Sequence, residues 1–239
     1  RADIPVGVGM EFDAKSKEAQ AEWVEGYDLE KYPGKVYRDG VQAIIDTIMQ
    51  SPEPITLIAV GPLPNIAEAF RREPRIAEKA RFVGMHGALR VGYRRSPKVA
   101  AEWNVRAAPA ACAAAFAAPW EVTITPLDTC DQVQLDGELY QKVLASRDPI
   151  AQMIVENYRI WAKSHPTNDP TVRSSVLFDT VAVYLGFSEE LLKMETLGVR
   201  VTDEGMTVID PEAKKLRAAT AWKDLDAFES LLVRTITGE

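Results

Sequence analysis

The feature that most restricts the fold of this chain is a repeated switch between two hydrophobic periods. Val41, Ile44, Ile45 and Ile48 recur at helical spacing, Ser51-Pro-Glu-Pro54 stops that run, and Ile55-Thr-Leu-Ile-Ala-Val60 continues as an unbroken apolar stretch, the pattern of a buried strand. The unit then recurs. Gly61-Pro-Leu-Pro-Asn65 is a turn, Ile66 to Phe70 opens a helix, and Arg81-Phe-Val-Gly-Met85 is the following strand. Successive helix-strand units predict an α/β fold with a Rossmann-like, mainly parallel sheet covered by helices on both faces.

Upstream of these units, Ile4 to Val8 reads as a strand, and Met10 to Arg38 as a long surface excursion with no sustained period, the kind of loop that borders sites. Downstream of a loop from His86 to about Arg106, Pro109 takes the first turn of an Ala-rich helix, where its missing N–H costs nothing. Val122-Thr-Ile-Thr125 is a further strand. Leu139, Val143 and Leu144, then Ile150, Ile154, Tyr158 and Trp161, predict helices, with a polar break from Ser164 to Arg173 and an apolar helix near Val181 to Leu185. Thr196 to Val201, Met206 to Ile209 and Leu216 to Ala219 read as short strands before a C-terminal helix from Asp224 to Ile236. No repeat, low-complexity tract or linker interrupts the chain, so residues 1–239 read as one domain.

Composition narrows the function classes. With 239 residues and 46% hydrophobic content the chain can bury a core, and 28 Lys+Arg against 35 Asp+Glu give a net charge of -7. Its basic residues are scattered rather than clustered, which argues against a nucleic-acid partner. No window approaches a membrane span, which argues against a membrane partner. Two cysteines, Cys112 and Cys130, and two histidines, His86 and His165, make neither a disulfide framework nor a Cys/His zinc cage, and leave a hard, oxygen-bound cation open. No charged-then-apolar leader opens the chain, so it reads as cytoplasmic.

Ligands of open parallel sheets bind beyond the carboxyl ends of the strands, where loops converge and helix N-termini point at the crevice. That rule selects Gly61 to Asn65, Met85 to Asn104, Thr125 to Gln132 and the helix start at Phe178-Asp179. Glu102-Trp-Asn104 places an acid, a ring and an amide together, which suits a polyol with a planar substituent; a solvated loop with one anchoring Trp would look the same. Asp128 and Asp131 flank Thr129 and Cys130, an arrangement open to a Ca²⁺ or Mg²⁺ site and equally to an Asx-turn. Asp179 opens a helix, where the dipole favours an anion with or without a function. His86 is a lone imidazole at a strand end.

In order and spacing these segments resemble the nucleoside hydrolase family, the inosine-uridine type N-ribohydrolases. Gly61-Pro-Leu-Pro-Asn65-Ile-Ala is similar to the family's Gly-Pro-Leu-Thr-Asn-Leu-Ala, Met85-His-Gly-Ala88 to its Met-Gly-Gly-Ala, and Ala101-Glu-Trp-Asn104 to its Ala-Glu-Phe-Asn. Leu127-Asp128 resembles its Leu-Asp-x-Thr segment, and Phe178-Asp-Thr-Val-Ala-Val183 its His-Asp-Pro-Leu-Ala-Val. Each segment alone is weak, whereas five in one order are specific.

The resemblance implies a calcium-dependent enzyme that uses water to split the N-glycosidic bond of a small-molecule ribonucleoside into base and ribose, working as a homodimer or homotetramer. By position, Asp179 and the backbone carbonyl of Cys130 would be Ca²⁺ ligands, Glu102 and Asn104 would hold ribose hydroxyls, and Met85 and Trp103 would line the sugar pocket. Ser96 stands where the family has an Asn near the ribose. Phe178 stands where it has a His that activates the leaving base; a phenyl ring stacks but carries no proton, so either another acid, His86 or a loop tyrosine such as Tyr93, would help the base leave or the substrate would be less demanding. The family also begins with a strand ending in a cluster of Asp residues that supplies most calcium ligands and the base. Asp3 to Gly9 matches a later family segment, so the resemblance implies a fold lacking its first strand, an N-terminally truncated chain that is inactive as given. A non-catalytic ribose- or nucleoside-binding protein is the alternative.

Overall fold

The computed structural model describes residues 2–13 and 18–239; part of the predicted excursion, residues 14–17, lies outside them. Strand β1 (Val6–Gly7) pairs in parallel with β2 (Val36–Tyr37), so the predicted first strand is only two residues long. Helix α1 (Gly40–Gln50) starts where the Asp39 carboxylate accepts the Gln42 N–H at 2.9 Å, and it buries Val41, Ile45 and Ile48. Then follow β3 (Ile55–Ala59), α2 (Pro64–Arg72) and β4 (Ala80–Met85), as the two repeated units predict, with the short α3 (Ile76–Lys79), which no pattern marks, ahead of β4.

The predicted loop after β4 conceals a further helix, α4 (Trp103–Ala107), which leads into α5 (Pro109–Ala117), β5 (Val122–Thr125) and the single turn α6 (Leu127–Cys130). Helices α7 (Gly137–Ala145), α8 (Pro149–Lys163) and α9 (Phe178–Leu185) come next. The chain closes with β6 (Leu192–Val201), β7 (Thr207–Ile209), β8 (Lys215–Trp222) and α10 (Leu225–Thr237).

The main sheet has the order β3-β4-β5-β8-β6-β7. Its first four strands are parallel, and β6 runs antiparallel to both β8 and β7, so the sheet is mainly parallel, as expected. Alternation along β4 separates two cores: Phe82 enters one with Ile45, Ile48, Phe116 and Trp120, and Val83 and Met85 enter the other with Val181, Leu185 and Phe228. Helices therefore cover both faces. A groove of about 320 Å³ separates β1 from β3, lined by Gly7, Gly9, Tyr37, Ile44, Ile55 and Leu57. Its far end is tied by the Met10 N–H, which donates to Asn65 Oδ1 at 2.8 Å. Among the described residues, no helix is long and apolar enough to cross a membrane.

Candidate functional site

At the carboxyl ends of β4 and β5 the chain gathers most of the residues singled out from sequence. Glu102 organises them. Its carboxylate is 3% exposed and caps α4, accepting from the N–H groups of Asn104 at 2.8 Å and Val105 at 3.3 Å, and it reaches across to the Gly87 N–H at 3.1 Å. Burial raises its pKa, the three backbone donors pull the other way, and the nearby Asp179 charge raises it further. Asn104, also buried, donates through Nδ2 to the Met85 carbonyl at 2.9 Å and lies 3.4 Å from the Met85 sulfur, which leaves its carbonyl oxygen facing no protein donor.

Tyr93 closes the same cluster. Its hydroxyl oxygen accepts the Trp103 N–H at 2.8 Å, and its ring meets Phe178 edge-on at 6.3 Å. Burial and the Glu102 charge push its pKa up to about 12, so the hydroxyl is a donor rather than a proton source at neutral pH. Phe178 starts α9, and Asp179 follows in its first turn. Asp179 is the most open of the acids here, but the protein behind it desolvates the carboxyl and raises its pKa to about 6. Trp103 is half-buried. Ser96 sits in the Tyr93 loop, its hydroxyl accepting from Lys98 N–H at 3.2 Å, with no hydrogen bond to Glu102 or Asn104 among the described residues.

His86 is not placed to assist a leaving group. It is fully buried between Phe82 and Phe116, and its Nε2 lies 2.9 Å from the Gly61 carbonyl. A carbonyl only accepts, so Nε2 carries the proton; Nδ1 is left bare and unpartnered, and desolvation lowers the pKa to about 4. A neutral, walled-in imidazole belongs to the core.

The acids around Cys130 are also spoken for. Asp128 accepts the Leu89 and Arg90 N–H groups at 2.9 and 3.0 Å, and Asp131 accepts Arg95 N–H at 3.1 Å. They brace the loop after β4 from 36 to 39 positions away, a long-range clamp in place of the local Asx-turn that their spacing allowed. Thr207, which no motif marks, holds the same loop by exchanging two 2.9 Å bonds with Ala88. The Cys130 thiol is buried, and its carbonyl accepts only a long 3.5 Å bond from Val133 N–H. Among the described residues no three Asp, Glu, His or Cys side chains converge as metal ligands. Ca²⁺ takes about six to eight oxygens. Asp179 and the Cys130 carbonyl supply at most three, so the residues described here do not make a calcium site by themselves.

The family model described as inosine-uridine preferring nucleoside hydrolase matches residues 1–229. An inosine-uridine preferring nucleoside hydrolase of Leishmania major is 34% identical over 211 residues, covering 82% of this chain and 64% of its own length. A pyrimidine-specific ribonucleoside hydrolase of Citrobacter koseri is 29% identical over 185 residues, 71% of this chain and 55% of its own. The chain thus spans between about half and two thirds of these relatives. In fold, it matches a plant nucleoside hydrolase structure with a TM-score of 0.79 at 21% identity, covering 99% of this chain and 81% of that one. A purine-preferring ribonucleoside hydrolase from Gardnerella vaginalis gives 0.77 at 20% identity, over 96% and 78%. With the ordered motifs now gathered at one sheet end and the match running through nearly the whole chain, this protein belongs to the inosine-uridine preferring nucleoside hydrolase family.

Proposed function

We propose that this chain forms the sugar-holding part of a site that hydrolyses the N-glycosidic bond of a small-molecule ribonucleoside. The observation that carries the reading is the convergence of Glu102, Asn104, Met85, Tyr93 and Phe178 beyond β4 and β5, where the Asn104 carbonyl accepts from no donor among the described residues. That oxygen accepts a ribose hydroxyl. Glu102 Oε1, bonded among the described residues only to Asn104 N–H, has a lone pair for a second, and the Tyr93 hydroxyl, whose oxygen accepts the Trp103 N–H, keeps its own proton to donate. The Phe178 and Tyr93 rings present apolar faces to a planar base. Splitting a ribosyl C–N bond builds positive charge on the sugar, and the Glu102 and Asp179 carboxylates lie where that charge is stabilised.

Calcium is the cofactor that the family resemblance suggests, but these residues under-coordinate it, so none of the roles above runs through a metal. The same shortage bears on turnover. Glu102 is committed to three backbone N–H groups and Phe178 has no proton to give, which leaves Asp179 as the one acid free to act. We therefore expect the 239-residue chain to bind ribose and nucleosides without hydrolysing them, the behaviour of the alternative, non-catalytic reading. Two buried, unpaired cysteines suit a cytoplasmic setting. Calorimetric titration with ribose and inosine, run beside a reducing-sugar assay, tests this. Binding that Asn104→Ala weakens at least tenfold is the expected result, and no binding to either compound overturns the reading.

A further inference from the structure

The loop after β4 carries two arginines that the sugar site does not use. Arg94 and Arg95 both adopt the left-handed backbone conformation, with φ of 56° and 57°. A side chain makes that conformation costly where Gly would adopt it freely, and such strain concentrates where a side chain has a task. The surroundings impose it: Asp131 accepts the Arg95 N–H at 3.1 Å and also engages the Arg94 N–H, while Gly92 N–H closes on the Ser96 carbonyl at 2.8 Å. Arg94 and Arg95, with Arg173 from the loop before α9, line a cavity of about 640 Å³ whose walls also carry Gln132, Gln134 and Asn168.

The charges in this cavity do not balance. Arg71, Arg72, Arg75, Arg90, Arg200 and Arg217 each pair with a carboxylate on the surface. Among the described residues, Arg94, Arg95 and Arg173 form no such ion pair. Asp131, buried and already bound to backbone N–H groups, faces Arg94 and Arg95, and the Asp169 carboxylate acts on Arg173. Three guanidinium groups against two carboxylates leave this pocket cationic in a chain of net charge -7. Guanidinium forks match the paired oxygens of a phosphate, and the amides add neutral donors. Chain continuity links the pocket to the sugar site: Tyr93, which packs on Phe178, directly precedes Arg94.

We propose that this cavity is a subsite for a phosphate monoester dianion, so that the chain takes a ribosyl group bearing a phosphate in preference to a neutral one. The ribosyl half of this inference rests on the function proposed above; the anion half rests on the arginines. Isothermal titration of the 239-residue chain with ribose, ribose 5-phosphate and inorganic phosphate, at low and high salt, tests both. Arg95→Gly is the informative variant, because Gly relieves the backbone strain and so removes the cation without threatening the fold; Arg173→Ala is its companion. Ribose 5-phosphate should bind at least tenfold tighter than ribose, with the gap narrowing in high salt and falling below threefold in either variant while ribose affinity holds. Equal affinity for ribose and its phosphate overturns the anion subsite and leaves the sugar site standing. Arginine-dependent binding of phosphate with no binding of ribose supports the anion subsite and overturns the sugar reading. Absence of arginine-dependent binding by either phosphate compound overturns the proposal.

Discussion

At the scale of single residues, buried acids decide how this site behaves. Glu102 satisfies three backbone N–H groups that would otherwise be stranded in a dry interior. Glu102→Ala should therefore destabilise the fold by about 1–3 kcal/mol, the range for leaving buried donors unpaired, and a urea-melt loss under about 0.5 kcal/mol would contradict the clamp. Asp179 behaves in the opposite sense. Its native pKa is raised to about 6 from an ordinary 3.8, so the folded chain holds a proton that the unfolded chain has released, and stability falls as pH rises from about 4 through 6. His86, lowered to about 4 from 6.5, works against this: the unfolded chain takes the proton first, and stability rises with pH over nearly the same window. Wild-type denaturation midpoints conceal the two contributions. Asp179→Asn separates them: the variant should gain stability over the parent as pH climbs from 4.5 to 7.5, and a difference independent of pH would rule out a raised Asp179 pKa.

Among the elements, β3 is the exposed point. It pairs with β4 along one edge, and its other edge faces the groove that separates it from β1. Alternate amides of a strand point to opposite edges, so hydrogen exchange should split β3 into slow and fast positions while β4, paired on both sides, is slow throughout. Uniform protection along β3 would show that the edge is covered. The same elements show what the sequence makes legible. α1, β3 and β4 stand out because each has a clean period and a hard stop. α4 does not, because its cap is the Glu102 carboxylate rather than one of the Ser, Thr, Asp or Asn residues that usually mark a helix start. β6 begins at Leu192, four residues before its apolar pattern at Thr196, because Lys193 and Glu195 obscure a segment that pairs with β8 across a bulge.

Across the whole molecule, the site is a product of long-range contacts, and this is why its residue types can be read from sequence while its brace cannot. Glu102, Asn104 and Asp179 belong to motifs. The clamps of Asp128 and Asp131, and the Thr207 hydroxyl reaching back 119 positions to Ala88, follow no local pattern, and nothing short of the fold marks Arg94 and Arg95 as left-handed. Because β4, β5, α4, α9 and β7 all contribute, a ligand that binds this site stabilises both layers at once. Ribose at a hundredfold excess over its Kd should add about 2.7 kcal/mol. For a domain of this size that raises Tm by about 5–10 °C in one cooperative transition. A shift confined to one of two resolved transitions would place binding in a locally folded segment and refute a site assembled across the sheet. Asn104→Ala, which itself lowers the unliganded Tm by unpairing the Met85 carbonyl, should cut the ribose-induced shift to about half or less at the same ribose concentration.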